Sequence, residues 1–479
     1  MKDELNITNH YKNYCKSINK AFSKYGTLYK TCRKNTKDSS DIIPADAHDI
    51  CNYVARYDMA NYQIQAILKL NGKLNFNRLK KAVRLSVDAE PVLGCRFVKK
   101  STPYWKRYDD IDNIEFCSFE RTDNPDEAVQ RFLESPLDMD KDPVVKVKLI
   151  RSEATDTLGI KISHVCCDAA GAREYIHLLS DIYCRIDNNR DSNFVPKSSK
   201  RDKSDHYRLL STLMKNPAPS WDPLAQTAMP TWKFPWRKSS IGPTGFAVCR
   251  LPKGYLDILK SYGKARGATI NDLILTAVFR AMFEISSPPY GIPMDIPLTI
   301  DLRKYLPDKK AEAIRNLSGG VVIRLDRRPE ETFEETLSRV VALTTNVKNG
   351  RPSIRSLKWA EFIESMNFHQ ICAYFKAESQ LINMISQSPV NIFDKCCPIL
   401  SNFGFISESL IRFGEKVVTD AYIIPPVVRA PSILLVASTY NGVITLGVGY
   451  YKSSVEKSHM ERLLSKIRDE LVEGCRAQK

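Results

Sequence analysis

A chain of 479 residues, 43% of them apolar, can bury more than one core, so two globular halves of ordinary size are expected. No run approaches the roughly 20 apolar residues of a membrane helix, and Met1-Lys2-Asp3-Glu4 leads into none of the apolar stretch that a secretory signal carries. The formal charge of +16 is spread along the chain, and no helix-turn-helix, zinc or RNP pattern accompanies it, which argues against a nucleic-acid partner and for a solvated basic surface that also attracts anions.

In chain order, residues 1–43 form a polar, basic segment with Lys12, Lys16, Lys20 and Lys24 four apart, a spacing that suits a weak helix or unstructured chain. From Pro44 the pattern turns globular. Residues 62–70 alternate as a strand, Asn71-Gly72 marks a turn, and Phe76, Leu79, Ala82, Val83 and Val87 fall at helical spacing. Strands are expected over 91–98 and 143–150. A third, over 158–163, puts Leu158, Ile160 and Ile162 on one face, and His164 continues that face because strand side chains repeat with period two. Asp168 then opens a helix through Tyr175, Ile176, Leu179 and Ile182, where free N–H groups favour a carboxylate.

Between about 190 and 245 the prolines Pro217, Pro219, Pro223, Pro230, Pro235 and Pro243 break regular elements. With Trp221, Trp232 and Trp236 the stretch reads as a linker packed on a surface. Beyond it come a strand over 246–251, a helix ending at Tyr262-Gly263, and a long helix opened by Gly267-Ala268-Thr269-Ile270-Asn271-Asp272. A strand over 295–303 ends in charges. Strands over 432–438 and 443–450 flank the hairpin signal Asn441-Gly442, and a terminal amphipathic helix carries Met460, Leu463, Leu464, Ile467 and Leu471. Strands and helices in both halves predict an α/β protein built of α+β layers, organised as 44–195, a crossover over 196–245, and 246–479.

Thirteen cysteines include the adjacent pairs Cys166-Cys167 and Cys396-Cys397 but no C-x-x-C spacing. They read as reduced, buried side chains of a cytoplasmic protein with no metal site.

Among the seven histidines, His164 alone is delivered by a strand onto an apolar face and followed by a carboxylate. A neutral imidazole titrates near pH ~6.5 and can serve as a general base. The stretch Ser163-His164-Val165-Cys166-Cys167-Asp168-Ala169-Ala170-Gly171 resembles H-x-x-x-D-x-x-G, the active-site signature of the CoA-dependent acyltransferase superfamily. Its members include chloramphenicol acetyltransferase, alcohol acetyltransferases, polyketide-associated acyltransferases and nonribosomal condensation domains. Gly267-Ala268-Thr269-Ile270-Asn271-Asp272 is similar to the family's G-x-T-x-N-D helix start, and Thr299-Ile300-Asp301-Leu302-Arg303 to the strand that supplies its arginine. Asn316-Leu317-Ser318-Gly319-Gly320 and Ser401-Asn402-Phe403-Gly404 resemble two further family loops.

The resemblance implies two chloramphenicol-acetyltransferase-like subdomains with a tunnel between them. It implies transfer of an acyl group from a pantetheine thioester, acyl-CoA or an acidic acyl carrier protein, to a small-molecule alcohol or amine, with no permanently bound cofactor. His164 becomes the base, Asp168 the partner of Arg303 in a buried ion pair, Ser401 and Asn402 candidate oxyanion donors, and Gly171 a point of close approach for backbone or acyl chain. Two departures stand out. Condensation domains carry a second histidine where this chain has Ser163, which tilts the reading toward acyl-CoA, and the D-F-G-W-G motif of plant acyltransferases is absent. Two rival readings remain: a nucleophilic Cys166 or Cys167, and a catalytically silent scaffold on the same fold.

Overall fold

The computed structural model describes residues 41–56, 60–187, 194–213, 228, 230–349, 353–386, 395–407 and 411–476. Residues 1–40 of the basic N-terminal segment and Pro217, Pro219, Trp221 and Pro223 lie outside these residues.

The strands in the first half are β1 (Ile42–Pro44), β2 (Gln63–Leu70), β3 (Cys95–Val98), β4 (Tyr104–Arg107), β5 (Cys117–Arg121), β6 (Val145–Arg151) and β7 (Asp156–Ser163). Then follow β8 (Trp232–Lys233), β9 (Thr244–Arg250), β10 (Pro293–Asp301), β11 (Ser318–Asp326) and β12 (Lys395–Phe405). The last are β13 (Arg412–Phe413), β14 (Lys416–Ile424), β15 (Ser432–Tyr440) and β16 (Val443–Tyr451). The helices that matter below are α1 (Ala47–Ala55), α2 (Phe76–Ala89), α3 (Pro125–Glu134), α4 (Ala169–Asp187), α5 (Ser204–Leu213), α6 (Tyr255–Ala265), α7 (Ile270–Ser286) and, at the end of the chain, Lys457–Gly474.

Two sheets dominate. One has six strands in the order β13-β14-β2-β7-β6-β5, with α2 and α4 packed together over it; the other has the order β11-β10-β12-β15-β16-β9, with β8 added on β12. A small sheet, β1-β4-β3, sits beside the first. The fold is thus a mixed α/β arrangement of two subdomains, each with its own core. The hairpin expected at Asn441-Gly442 forms between β15 and β16, with φ of 46° and 69° at those two residues, the left-handed pair that this turn requires.

Three expectations need correction. The second half does not keep to itself: β14 runs antiparallel to β2, with Ala421 opposite Leu68 and Ile423 opposite Ala66, so it completes the first sheet. Its Ala421-Tyr422-Ile423-Ile424 run is buried on both faces, and such a run carries no mark of which sheet it will join. The expected crossover is partly core. Leu209 and Leu213 of α5 pack with Leu302, Leu306 and Leu317, and Trp232 is fully buried with its indole N–H donating to Asp295 O at 2.7 Å. Residues Pro91–Gly94 form a 3-10 turn ahead of β3 instead of extending it, since proline suits the first position of such a turn. Among the described residues, no helix is long and apolar enough to cross a membrane.

Candidate active site

The strand that delivers His164 is buried on both faces. Strand β7 ends at Ser163, but the ladder continues one step further, with His164 N donating to Tyr62 O at 2.6 Å. Tyr62 holds a left-handed backbone, φ 42°, and sets its ring edge-on to the imidazole at 6.1 Å between centroids. A bulky residue in that conformation is unfavourable and persists only where its surroundings hold it. His164 itself is half-buried, whereas Val165, Cys166 and Cys167 after it are sealed in the core. Its Nδ1 lies 3.1 Å from Asn316 Oδ1 and 3.4 Å from Asn52 Nδ2. Asn52, on α1, also donates to His164 O at 2.8 Å. Burial pushes the imidazole below its ordinary range, partly offset by hydrogen bonding and by Asp168, so the ring is neutral near pH ~7.

Asp168 lies just ahead of α4 and serves two partners with its two oxygens. Oδ1 accepts the backbone N–H of Gly171 at 2.9 Å, an N-cap bond. Oδ2 accepts from Arg303 Nη1 at 2.9 Å and from Leu317 N at 2.7 Å. Arg303 sits in the turn after β10, 2% exposed, and its Nη2 donates to Arg315 O at 2.9 Å. Burial alone would raise the Asp168 carboxyl; Arg303 and the two N–H donors outweigh it and hold it below the usual carboxylate range. Both sequence readings of Asp168, cap and ion-pair partner, therefore describe contacts present at once. Among the described residues, no hydrogen bond joins Asp168 to the imidazole.

Glu174, one turn along α4, comes within 3.2 Å of Arg303 Nε, and burial pushes it up to about 7 against the pull of that arginine. It was not singled out from the sequence, where it looks like any helix-surface carboxylate.

Gly171 is a point of close approach for backbone. A Cβ there would lie 2.9 Å from Cys167 Cβ and 3.3 Å from Arg315 O, so the space is filled by its own loop and by the segment leading into β11. Ser401 and Asn402 are not in a loop but in β12, at a bulge between Asn402 and Gly404. The left-handed Gly404, φ 78°, lets the strand absorb the extra residue. Asn402 spends its Oδ1 on Gly404 N at 2.9 Å, and Ser401 Oγ pairs with Thr299 Oγ1 at 2.8 Å. Thr299 stood in the sequence only as the start of the stretch that supplies Arg303, with no role of its own. Its strand β10 meets β12 at Leu298 and Leu400, immediately before these hydroxyls. Arg173 of α4 ties the bulge to the His164 half through a 2.7 Å bond to Phe403 O.

The two cysteines beside the imidazole are poor nucleophiles. Both are fully buried, Cys166 Sγ contacts Ser163 O at 3.1 Å, and hydrogen bonding to Cys166 together with burial pushes the Cys167 thiol well above its ordinary range.

Behind His164 lies a buried polar cluster. Asp49 of α1 accepts from Trp105 Nε1 at 2.8 Å and from Arg201 Nη2 at 2.7 Å, and Asn316 Nδ2 approaches it at 3.4 Å. Burial pushes the Asp49 carboxyl upward against the pull of Arg201. Between the halves is a cavity of about 370 Å³ lined by Tyr62, Leu137, Met139, Pro243, Thr244 and Tyr451. Tyr62 touches both this cavity and the imidazole.

A family model, the condensation domain, matches residues 56–288, the stretch that runs from β2 through His164 to the end of α7. The chain has a condensation-domain-like fold. Trichothecene 15-O-acetyltransferase from Fusarium sporotrichioides superposes with a TM-score of 0.65 at 13% identity, covering 92% of this chain and 96% of that one. The first condensation domain of the calcium-dependent antibiotic synthetase, in complex with a substrate analogue, gives a TM-score of 0.61 at 14% identity, covering 91% and 97%. A mutant starter condensation domain of rhizomide synthetase, in complex with C8-CoA, gives 0.59 at 12% identity, covering 91% and 96%. At such identities the likeness is one of fold. No curated protein sequence matches this one.

Proposed function

We propose that this condensation-like protein is an acyltransferase that moves an acyl group from a pantetheine thioester, acyl-CoA, to an alcohol or amine acceptor, with His164 as general base. The observation that carries the reading is the imidazole itself. It is half-buried, held neutral by its surroundings, and in contact with Asn316 from the other half. Such a group can take the acceptor's proton as the acceptor attacks the thioester carbonyl, and general-base help of this kind supplies about 10²–10⁴-fold in rate. Asp168 is engaged by Arg303, Leu317 and Gly171, so its part is to hold the loop that presents the imidazole. The hydroxyl pair Ser401–Thr299 supplies a donor for the oxyanion of the tetrahedral intermediate.

The fold neighbours include both an O-acetyltransferase and condensation domains, one of them bound to an acyl-CoA. A carrier-protein donor is therefore the second reading. Release of free thiol from acyl-CoA and from acylated carrier protein, measured over a panel of alcohols and amines, separates the two. Acceptor-dependent release from acyl-CoA supports the proposal; release from the carrier protein alone replaces it with the second reading. Release from neither, with every acceptor, leaves a binding protein on this fold.

A further inference from the structure

We infer that the cavity beside Tyr62 seats the acyl chain, and that its size makes the donor a medium-chain thioester of about eight to twelve carbons in preference to an acetyl one. This rests on the acyltransferase reading and names the substrate class which that reading leaves open.

Tyr62 lines the cavity and stands edge-on to the His164 imidazole, 6.1 Å between ring centroids. A chain lying along that ring has its carbonyl end beside the imidazole and its tail in the cavity. The apolar walls are Pro136, Leu137 and Met139 on one side and Ile241, Pro243 and Tyr451 on the other. The polar groups among them are bonded within the protein. Gln63 Oε1 accepts Leu137 N at 2.9 Å, and Asn61 Oδ1 accepts Val427 N at 2.7 Å. Arg56 pairs with Asp140 at 3.1 Å and Glu134 with Lys452 at 2.7 Å. The Tyr451 and Thr244 hydroxyls donate to Val427 O and Glu134 O, each at 3.4 Å. A polar guest would compete for partners already taken, whereas an alkyl chain needs only apolar surface and room. Alcohols and amines are told apart by polar groups, so these walls have little with which to choose an acceptor. Acyl chains differ in apolar length, which the walls can read.

One wall is fixed before any guest arrives. Lys161 of β7, 2% exposed, donates from Nζ to Phe132 O at 2.8 Å and to Ser135 Oγ at 2.9 Å. It thereby closes the C-terminal end of α3, where the helix dipole favours a cation. With Gln63 holding Leu137 N, the run from Ser135 to Leu137 is bonded to β2 and β7, the strands next to Tyr62 and His164. A wall ordered in advance costs little to order on binding. A cavity of about 150 Å³ takes benzene; at about 370 Å³ this one leaves most of its volume unfilled by an acetyl group.

Calorimetry of the full chain with acyl-CoA from acetyl to palmitoyl, without acceptor, tests this. Affinity should tighten by up to about fourfold per methylene from acetyl toward decanoyl, and level off beyond dodecanoyl. Thr244→Phe puts a ring into the cavity and should lower the decanoyl-to-acetyl affinity ratio about tenfold, the worth of roughly two buried methylenes. If that variant does not fold, Met139→Trp fills the cavity from the other wall. Equal wild-type affinity for acetyl-CoA and decanoyl-CoA overturns the inference, as does an unchanged ratio in the folded variant. A loss in Thr244→Phe that instead grows with the chain length of the alcohol, with acetyl-CoA as donor, would place an acceptor tail in the cavity and also overturn it. Chain-dependent affinity without turnover on any acceptor keeps the site and removes the acyltransferase reading. Turnover without chain dependence does the reverse, so the two failures are distinct.

Discussion

Arg303, from the second half of the chain, reaches across to Asp168 in the first and closes a 2.9 Å ion pair in which both residues are at most 3% exposed. The same carboxylate caps α4 and accepts Leu317 N, so one side chain joins the His164 loop, a helix and the approach to β11.

The pair should matter first for stability. Removing Arg303 leaves the Asp168 carboxylate buried without its counter-ion, which typically costs about 3–5 kcal/mol, whereas removing Asp168 leaves Arg303 beside Glu174 at 3.2 Å and Asp301 at 3.3 Å but takes away the α4 cap and the acceptor of Leu317 N. Asp168→Ala and Arg303→Ala are each expected to lower the denaturation midpoint strongly, and the double variant to lose less than the sum of the two. Urea titrations of the three variants measure this coupling. An unmoved midpoint with lost turnover would assign Asp168 a direct part in the chemistry.

His164→Ala should lower kcat by about 10²–10⁴-fold while the chain still folds, because the ring is half-buried and lies outside the apolar core. The pH dependence has a definite sign. Burial lowers the folded-state pKa of His164, so the neutral, basic form persists as pH falls through ~6.5, and kcat/KM should drop only below that point. The same shift makes the unfolded chain bind more protons in that window, so this group also withdraws stability as pH falls. A rate profile whose acid limb lies above ~6.5 would contradict the assignment.

If Ser401 supplies the oxyanion donor, Ser401→Ala should cost about 10²–10³-fold in kcat, the scale seen when one such donor is removed. Thr299→Val removes the partner of that hydroxyl but not the hydroxyl itself, and is expected to cost much less. Equal, small losses in both variants, read from steady-state kinetics, would make the pair a structural contact between β10 and β12.

Gly171→Ala places a methyl group 2.9 Å from Cys167 Cβ and 3.3 Å from Arg315 O, neither of them a flexible side-chain end. The chain must shift, and overpacking of this kind costs about 1–3 kcal/mol. A thermal melt should fall accordingly. An unchanged melt would show that the loop has slack that the packing around Gly171 does not suggest.

Local periodicity carried much of the architecture. The strand ending at Ser163 and the helices over Phe76–Ala89, Ile270–Ser286 and Lys457–Gly474 were legible because one face of each pattern is apolar at a single spacing. Asn441-Gly442 told its own turn, since few residues accept two left-handed conformations in succession. The residues of the H-x-x-x-D stretch were legible as chemistry. Local pattern could not tell that Lys416–Ile424 would cross into the first sheet, because its Ala421-Tyr422-Ile423-Ile424 run, buried on both faces, fits either one. Nor could it tell that Asn52 and Asn316, separated by most of the chain, would flank one imidazole. Asn52 has neither an apolar period nor a motif, and Asn316 stood out only as the first residue of a family-like loop, with no role attached. Their roles arise from contacts between distant segments, and only the packing of the two halves brings those segments within hydrogen-bond reach.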